Sequence, residues 1–162
     1  MKVAIITAST AVYKGEQEDA SGKVIRKMVE EAGLDVVFMK ALPTDKTVLS
    51  TVFQRMADGN LADLILTTGG TGFAPRDMTP EATIAVCDRM ANGIAEAIRN
   101  YSMTITDRAM FSRAVSGLRK KTLIINLPGS PKAVTEALEY ILPKLPHGLD
   151  VLRGNVQECG RK

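Results

Sequence analysis

Short apolar runs alternating with amphipathic segments predict an α/β fold with a largely parallel sheet and helices on both faces. Three observations carry this. The runs Val3–Ile6, Val36–Met39 and Leu64–Leu66 are continuously apolar and Thr122–Leu127 is largely so, as strands covered on both faces are. The segments between them place apolar residues at helical spacing. The stretches that follow these runs are rich in Ser, Thr, Gly, Pro or Asp.

In chain order, Val3–Ile6 predicts a buried strand ending in the small polar group Thr7–Thr10, and residues 11–20 predict a loop. Val24, Ile25, Met28 and Val29 share a helical face within Ser21–Ala32, with Gly33 as the residue past its end. Val36–Met39 is the second predicted strand. The next helix, Lys46–Asp58, carries Val48, Leu49, Val52, Phe53 and Met56 on one face. Leu64–Leu66 is the third strand and leads into Thr67-Thr68-Gly69-Gly70-Thr71-Gly72. Thr79-Pro80 then reads as a helix start, threonine at N-cap and proline at N1. Helices are predicted over Pro80–Asp88, with Cys87 packed inside it, and over Gly93–Ser102. Residues 112–117 are compatible with a short helix or a loop. Thr122–Leu127 is a buried strand, and Pro128–Pro131 opens a helix with Val134, Ala137, Leu138, Ile141 and Leu142 on its face. Pro143 and Pro146 are expected to end that helix, and residues 148–162 to form a C-terminal arm. No repeat or linker interrupts the chain, so residues 1–162 read as a single domain.

Composition narrows the function. A chain of 162 residues with 45% hydrophobic and 24% charged residues is ordinary for a soluble domain. A net charge of +3 suits anionic small molecules, whereas the absence of Trp, 4% aromatic content and lack of a basic stripe argue against nucleic acid. Cys87 and Cys159 are too few for a disulfide framework and read as free thiols in a reducing compartment. His147 is the only histidine, which excludes a histidine metal cluster, and its Leu-Pro-His-Gly context is turn-like. With neither a signal peptide nor a membrane-length apolar run, the expected location is the cytoplasm.

Chemistry is expected beyond the carboxyl ends of the strands, where an open parallel sheet binds ligands. The loops Thr7–Thr10, Pro43–Lys46, Thr67–Thr79 and Leu127–Lys132 converge there. The glycine loop is compatible with a tight turn whose glycines only relieve the backbone, or with a cradle of N–H groups for phosphate. It matches neither the Walker pattern nor G-x-G-x-x-G. Asp77 and Asp45 are the acids of these loops, and Arg76, Lys132 and Arg113 are the nearby cations. Without an obvious nucleophile, positioning and electrostatics fit better than covalent catalysis, as in nucleotidyl transfer with Mg²⁺ held by carboxylates and phosphates.

The motifs L-T-T-G-G-T-G-x-x-x-R-D-x-T-P-E-A-T, D-R-x-x-x-G-x-x-E-x-x-R from Asp88 to Arg99, S-R-A-x-x-G from Ser112 to Gly117, and N-L-P-G-S-P-K from Asn126 to Lys132 together resemble the MogA/MoaB family of molybdenum cofactor biosynthesis. The resemblance runs in order from Met1 to about Leu142. It implies a three-layer α/β/α sandwich with a mostly parallel sheet, commonly assembled as a homotrimer. The implied activity is Mg-ATP-dependent adenylylation of molybdopterin with release of pyrophosphate, and the molybdenum-insertion enzyme of that pathway is an implied partner.

By the same resemblance, Gly69, Gly70, Thr71 and Gly72 would cradle phosphates of the nucleotide or the pterin, with Thr68 and Thr79 also among the substrate- and nucleotide-binding residues. Asp77 would hold or orient Mg²⁺. Thr7, Ser9, Ser112, Arg113, Gly129 and Ser130 match ligand-contacting positions. Family members place an acid directly after the proline that follows the second strand, as a second functional carboxylate. Here Pro43 is followed by Thr44 and then Asp45. A gapless alignment puts Thr44 in the acid's place, and a shift of one residue puts Asp45 there, where it would be catalytic and a metal ligand beside Asp77. As the residue before a helix, Asp45 reads equally as an N-cap. Two alternatives stand beside the adenylyltransferase: a non-catalytic molybdopterin-binding or scaffold paralogue, and a related domain acting on another nucleotide or pterin.

Overall fold

The computed structural model describes residues 1–156 and contains one six-stranded sheet flanked by helices. The chain runs β1 (Lys2–Ala8), α1 (Thr10–Tyr13), α2 (Ala20–Glu31), β2 (Asp35–Leu42), α3 (Lys46–Asp58), β3 (Leu64–Thr68) and α4 (Thr79–Val86). It continues through β4 (Arg89–Met90), α5 (Asn92–Met103), β5 (Ser116–Arg119), β6 (Thr122–Leu127), α6 (Pro131–Ile141) and α7 (Leu145–Arg153), with 3-10 turns at Asp107–Phe111 and Leu142–Lys144.

The strand order is β2-β1-β3-β6-β5-β4. The pairs β1–β2, β1–β3 and β3–β6 are parallel, and β5–β6 and β4–β5 are antiparallel. The expected parallel sheet is therefore present, with an antiparallel edge that the sequence does not announce. β4 is two residues long and both are exposed, and β5 holds Gly117, so neither carries an apolar run. Residues 112–117, compatible with helix or loop from sequence, enter β5 instead.

Period-two alternation sorts the strand residues into two cores. Val3, Ile5, Leu64, Leu66, Leu123 and Ile125 face α2, α5, α6 and α7, and Ala4, Ile6, Ile65 and Ile124 face α3 and α4. This is the α/β/α sandwich. β1 lies between β2 and β3, and the chain crosses over it from β2 to β3, so the sheet's switch point falls at the ends of β1 and β3.

Four local expectations are corrected. Residues 11–20 are not all loop, because Ser9 caps the short α1 by accepting a hydrogen bond from Val12 N. Pro146 lies in the first turn of α7 rather than ending α6, where a missing N–H costs nothing, and His147 therefore sits in a helix. Residues 148–153 do not stand away as an arm: Leu149 is fully buried, and Arg153 pairs with the buried carboxylate of Asp63. Residues 157–162, including Cys159, lie outside the described residues. Cys87 follows α4 as its C-cap rather than packing inside it, and burial pushes its thiol up to about 11, so it stays protonated and inert at neutral pH.

Candidate active site

The β3 strand ends in a loop that only glycine can build. Gly69 and Gly70 have φ of +85° and +65°, and a Cβ at Gly69 would lie 2.6 Å from the carbonyl oxygen of Ala8. A Cβ at Gly70 would lie 2.4 Å from Thr79 Oγ1. The loop is thus pressed between the end of β1 and the start of α4.

A ladder of polar contacts holds it from below. Thr79 Oγ1 donates to Gly69 O at 2.9 Å, and Thr79 N donates to Gly70 O at 3.1 Å. Thr83 Oγ1 donates to Thr79 O at 2.9 Å. The buried Asn126 Nδ2 donates to Thr83 Oγ1 at 2.9 Å and to Thr67 Oγ1 at 3.0 Å, while its Oδ1 accepts from Val115 N. Asn126 therefore joins β6, β3, α4 and the residue before β5 with no buried polar atom left over. Thr68 Oγ1 donates to Pro128 O at 2.6 Å and ties the β3 and β6 loops together.

Thr79 is accordingly not the N-cap that the sequence predicts. Met78 holds that place without a side-chain bond, and the Thr79 hydroxyl turns to the loop carbonyl. Pro80 removes one of the orphan donors that a cap would serve.

Asp77 closes a turn in which its N–H donates to Ala74 O at 2.8 Å and its Oδ2 accepts from Ala74 N at 3.0 Å. Its other oxygen accepts no hydrogen bond among the described residues. Gly72 makes room for it, since a Cβ there would lie 2.9 Å from Asp77 Oδ2. Asp77 lines a cavity of about 680 Å³ with Thr7, Ser9, Thr68, Gly69, Gly70 and Gly129, all sequence candidates. The same cavity takes Thr10, Asp19, Thr44 and Arg76. Asp19 caps α2 by accepting from Gly22 N at 2.9 Å and also accepts from Thr7 Oγ1. Its only sequence signal is a helix start, which does not announce a place in the cavity.

The other candidates lie elsewhere. Asp45 is the N-cap of α3, its Oδ1 accepting from Val48 N at 2.8 Å, and it is not among the residues lining the cavity. Thr44 takes the place on the wall, with its hydroxyl 3.3 Å from that of Thr10. Ser130 caps α6 through Ala133 N. Thr71, Gly72 and Ser112 line a second cavity of about 300 Å³ together with Arg99, Arg108 and Phe111. Gly129 borders both cavities, its Cα side against Gly69.

Of the three candidate cations, Arg76 reaches the first cavity and has no ion-pair partner among the described residues. Lys132 lines neither cavity. Arg113 places four of its five donors on protein: Nε donates to Gly72 O at 2.8 Å, Nη2 to Asp77 O at 2.6 Å, and both Nη atoms to Glu81. The Arg113 guanidinium holds the Glu81 carboxyl below its usual range.

The arrangement can seat a phosphate chain against loop N–H groups and Arg76, beside a carboxylate with a free oxygen. It offers no nucleophile.

Comparison with known proteins gives the family. Residues 4–147 match the family described as "Probable molybdopterin binding domain". The chain is 38% identical over 162 residues to the molybdopterin adenylyltransferase of Helicobacter pylori strain 26695, covering 99% of this chain and 92% of that protein. It is 34% identical over 144 residues to the molybdopterin adenylyltransferase of Escherichia coli K12, covering 87% and 73%. Among solved structures, the molybdopterin biosynthesis enzyme MoaB of Thermus thermophilus superimposes with a TM-score of 0.88 at 42% identity, covering 94% of this chain and 96% of that one. With the family model spanning nearly the whole described sheet and these relatives aligned along most of their length, the chain belongs to the MogA/MoaB family of molybdenum cofactor biosynthesis proteins.

Proposed function

We propose that the protein transfers AMP from Mg-ATP to molybdopterin, releasing pyrophosphate. The observation that carries this reading is the pair of cavities meeting at Gly129, with the glycine loop shared between them and Asp77 on the wall of the larger. The larger, polar cavity suits the nucleotide triphosphate, and the smaller one, lined by Ser112 and Phe111, suits the pterin. An acceptor oxygen of the pterin attacks the α-phosphorus, the bond to the pyrophosphate oxygen breaks, and AMP remains on the pterin. The N–H groups of Gly69–Gly72 and the Arg76 guanidinium meet the charge that spreads over the phosphate oxygens.

Mg²⁺ fits this site only in company with the nucleotide. No group of three or more His, Cys, Asp or Glu side chains placed to hold a metal ion exists among the described residues, so Mg²⁺ would take most of its ligands from water and phosphate oxygens. Asp77 is the residue to hold it, through the oxygen that accepts no protein hydrogen bond. When bound, Mg²⁺ supplies positive charge for the phosphates. Asp45, already capping α3, would need to leave Val48 N to join it.

The test is pyrophosphate release by purified protein with molybdopterin and Mg-ATP. Turnover that depends on both substrates and on Mg²⁺ supports the reading, and its absence at saturating substrate ends it. One observation favours a second reading, a non-catalytic molybdopterin-binding paralogue: a threonine, not an acid, faces the cavity from the β2 loop. Tight molybdopterin binding with no pyrophosphate would select it.

The family resemblance also supports a homotrimer in the cytoplasm, passing its product to the metal-insertion enzyme. No helix among the described residues is long and apolar enough to cross a membrane. The exposed Phe73, Met110 and Phe111 are apolar surface that an assembly would cover. A monomeric mass by light scattering would remove the trimer.

A further inference from the structure

We infer that Arg113 is a positioning residue that sets the aim of Asp77, and not a contact to nucleotide or pterin. The inference deepens the adenylyl-transfer reading and, for its kinetic part, rests on it.

Four of the five side-chain donors of Arg113 are already placed on protein. Nε serves Gly72 O at 2.8 Å and Nη2 serves Asp77 O at 2.6 Å, so one rigid fork spans both ends of the turn that carries the carboxylate. The backbone N–H of Arg113 adds a bond to Thr71 O at 2.8 Å. Glu81, in the first turn of α4, neutralises the guanidinium from the far side and orients it. Within this frame Asp77 keeps one oxygen on Ala74 N and the other free.

The residue before Arg113 is held just as firmly. Arg99 on α5 donates from Nε to Ser112 O at 3.0 Å and from Nη2 to Ala114 O at 2.7 Å. The 112–114 segment is thus a strut anchored on α5, and Arg113 is its arm onto the Asp77 turn. Arg113 lines neither of the two cavities that meet at Gly129, whereas Ser112 lines one and Asp77 the other. Through Arg113 the wall of the smaller cavity is mechanically continuous with the carboxylate of the larger.

A lysine at this position keeps the charge toward Glu81 but cannot bond both carbonyls at once. Arg113→Lys is therefore expected to free the 71–77 turn while the sheet stays intact. In the protein without ligands, amide hydrogen exchange at Asp77 and Thr79 should quicken by about ten-fold or more, with the β1, β3 and β6 amides unchanged. In turnover, kcat should fall by about ten- to hundred-fold while KM for ATP and for molybdopterin stays within about three-fold. Glu81→Gln, which leaves both carbonyl bonds possible, should move both readouts in the same direction by less. Unchanged exchange in Arg113→Lys overturns the inference, as does a loss confined to KM, which is the signature of a ligand contact. The exchange arm needs no substrate. If wild type proves inactive, the adenylyl-transfer reading fails while the positioning of Asp77 is still decided.

Discussion

The two loops that flank β1 make a natural comparison. Both leave the carboxyl ends of parallel strands, both precede a helix, and both carry an aspartate near that helix. After β3, Asp77 stands two residues before Thr79 and is kept from capping by the turn at Ala74. Its backbone is held by Arg113, and one carboxylate oxygen accepts no hydrogen bond among the described residues. After β2, Asp45 stands immediately before α3 and its carboxylate bonds Val48 N. The residue that faces the cavity is Thr44, paired with Thr10. A shift of one residue relative to the helix start separates an acid that caps from an acid that could act. The two loops are also built differently: the β3 loop hangs on a buried ladder through Thr79, Thr83 and Asn126, and the β2 loop on Thr10, whose hydroxyl accepts from Thr44 N and meets the Thr44 hydroxyl, and on Ser9 N, which donates to Leu42 O.

The largest expected effect tests the β3 side. Asp77→Ala should lower adenylylation by about 10²- to 10³-fold with the circular dichroism spectrum retained, because the residue's loss removes a charge and no packing. An unchanged rate in the pyrophosphate assay would break the comparison outright.

The support beneath the loop comes next. Asn126→Ala should cost about 2–3 kcal/mol in denaturant unfolding, since the Thr67 and Thr83 hydroxyls and Val115 N–H would lose their buried partner. A cost near zero would mean that the ladder is incidental.

The β2 side is probed in two ways. If the missing acid limits the rate, Thr44→Asp should raise turnover by about ten-fold, equal to about 1.4 kcal/mol of barrier. Asp45→Ala should cost about 1 kcal/mol of stability and change turnover less than about three-fold, the behaviour of a lost N-cap. The reverse outcome, a dead enzyme of full stability, would make Asp45 the second catalytic acid.

The smallest effect is a pH dependence. Hydrogen bonding and charge from Arg113 lower the pKa of Glu81, so its pairing stabilises the fold fully above the ordinary carboxylate value of about 4.3. That contribution disappears as pH falls through the lowered value. Glu81→Gln should therefore flatten the acid limb of the stability profile and leave stability above about pH 6 nearly parallel to wild type. An unaltered acid limb would show the pair to be inert, which its partial exposure makes the first alternative.

Much of this fold is legible in the chain because burial on both faces forces largely apolar strands. β1, β3 and β6 can be read from Val3–Ile6, Leu64–Leu66 and Thr122–Leu127 for that reason. β4 and β5 cannot: Arg89–Met90 and Ser116–Arg119 carry no periodicity, and their pairing to β6 is decided by neighbours distant in sequence. The last helix is hidden because Pro143 and Pro146 read as terminators, although proline opens a helix as readily as it closes one.

The site divides along the same line. The glycine loop is readable because positive φ at Gly69 and Gly70, and their contact with Ala8 and Thr79, demand residues without a side chain. Asp77 is readable from its place in that loop. Asp19 is hidden because an N-cap and a cavity-lining acid have the same local signature.

By itself, then, the sequence determined the layers, the edge of the sheet that carries the larger cavity, the glycine loop and its acid, since each follows from local burial or local backbone sterics. Only the tertiary structure decided that Asp45 caps while Thr44 faces the cavity, that Arg113 is engaged by Gly72, Asp77 and Glu81, and that Asn126 underpins the floor. Those outcomes depend on where a hydrogen-bond donor finds its acceptor across strands and helices far apart in the chain, and no spacing along one segment encodes that.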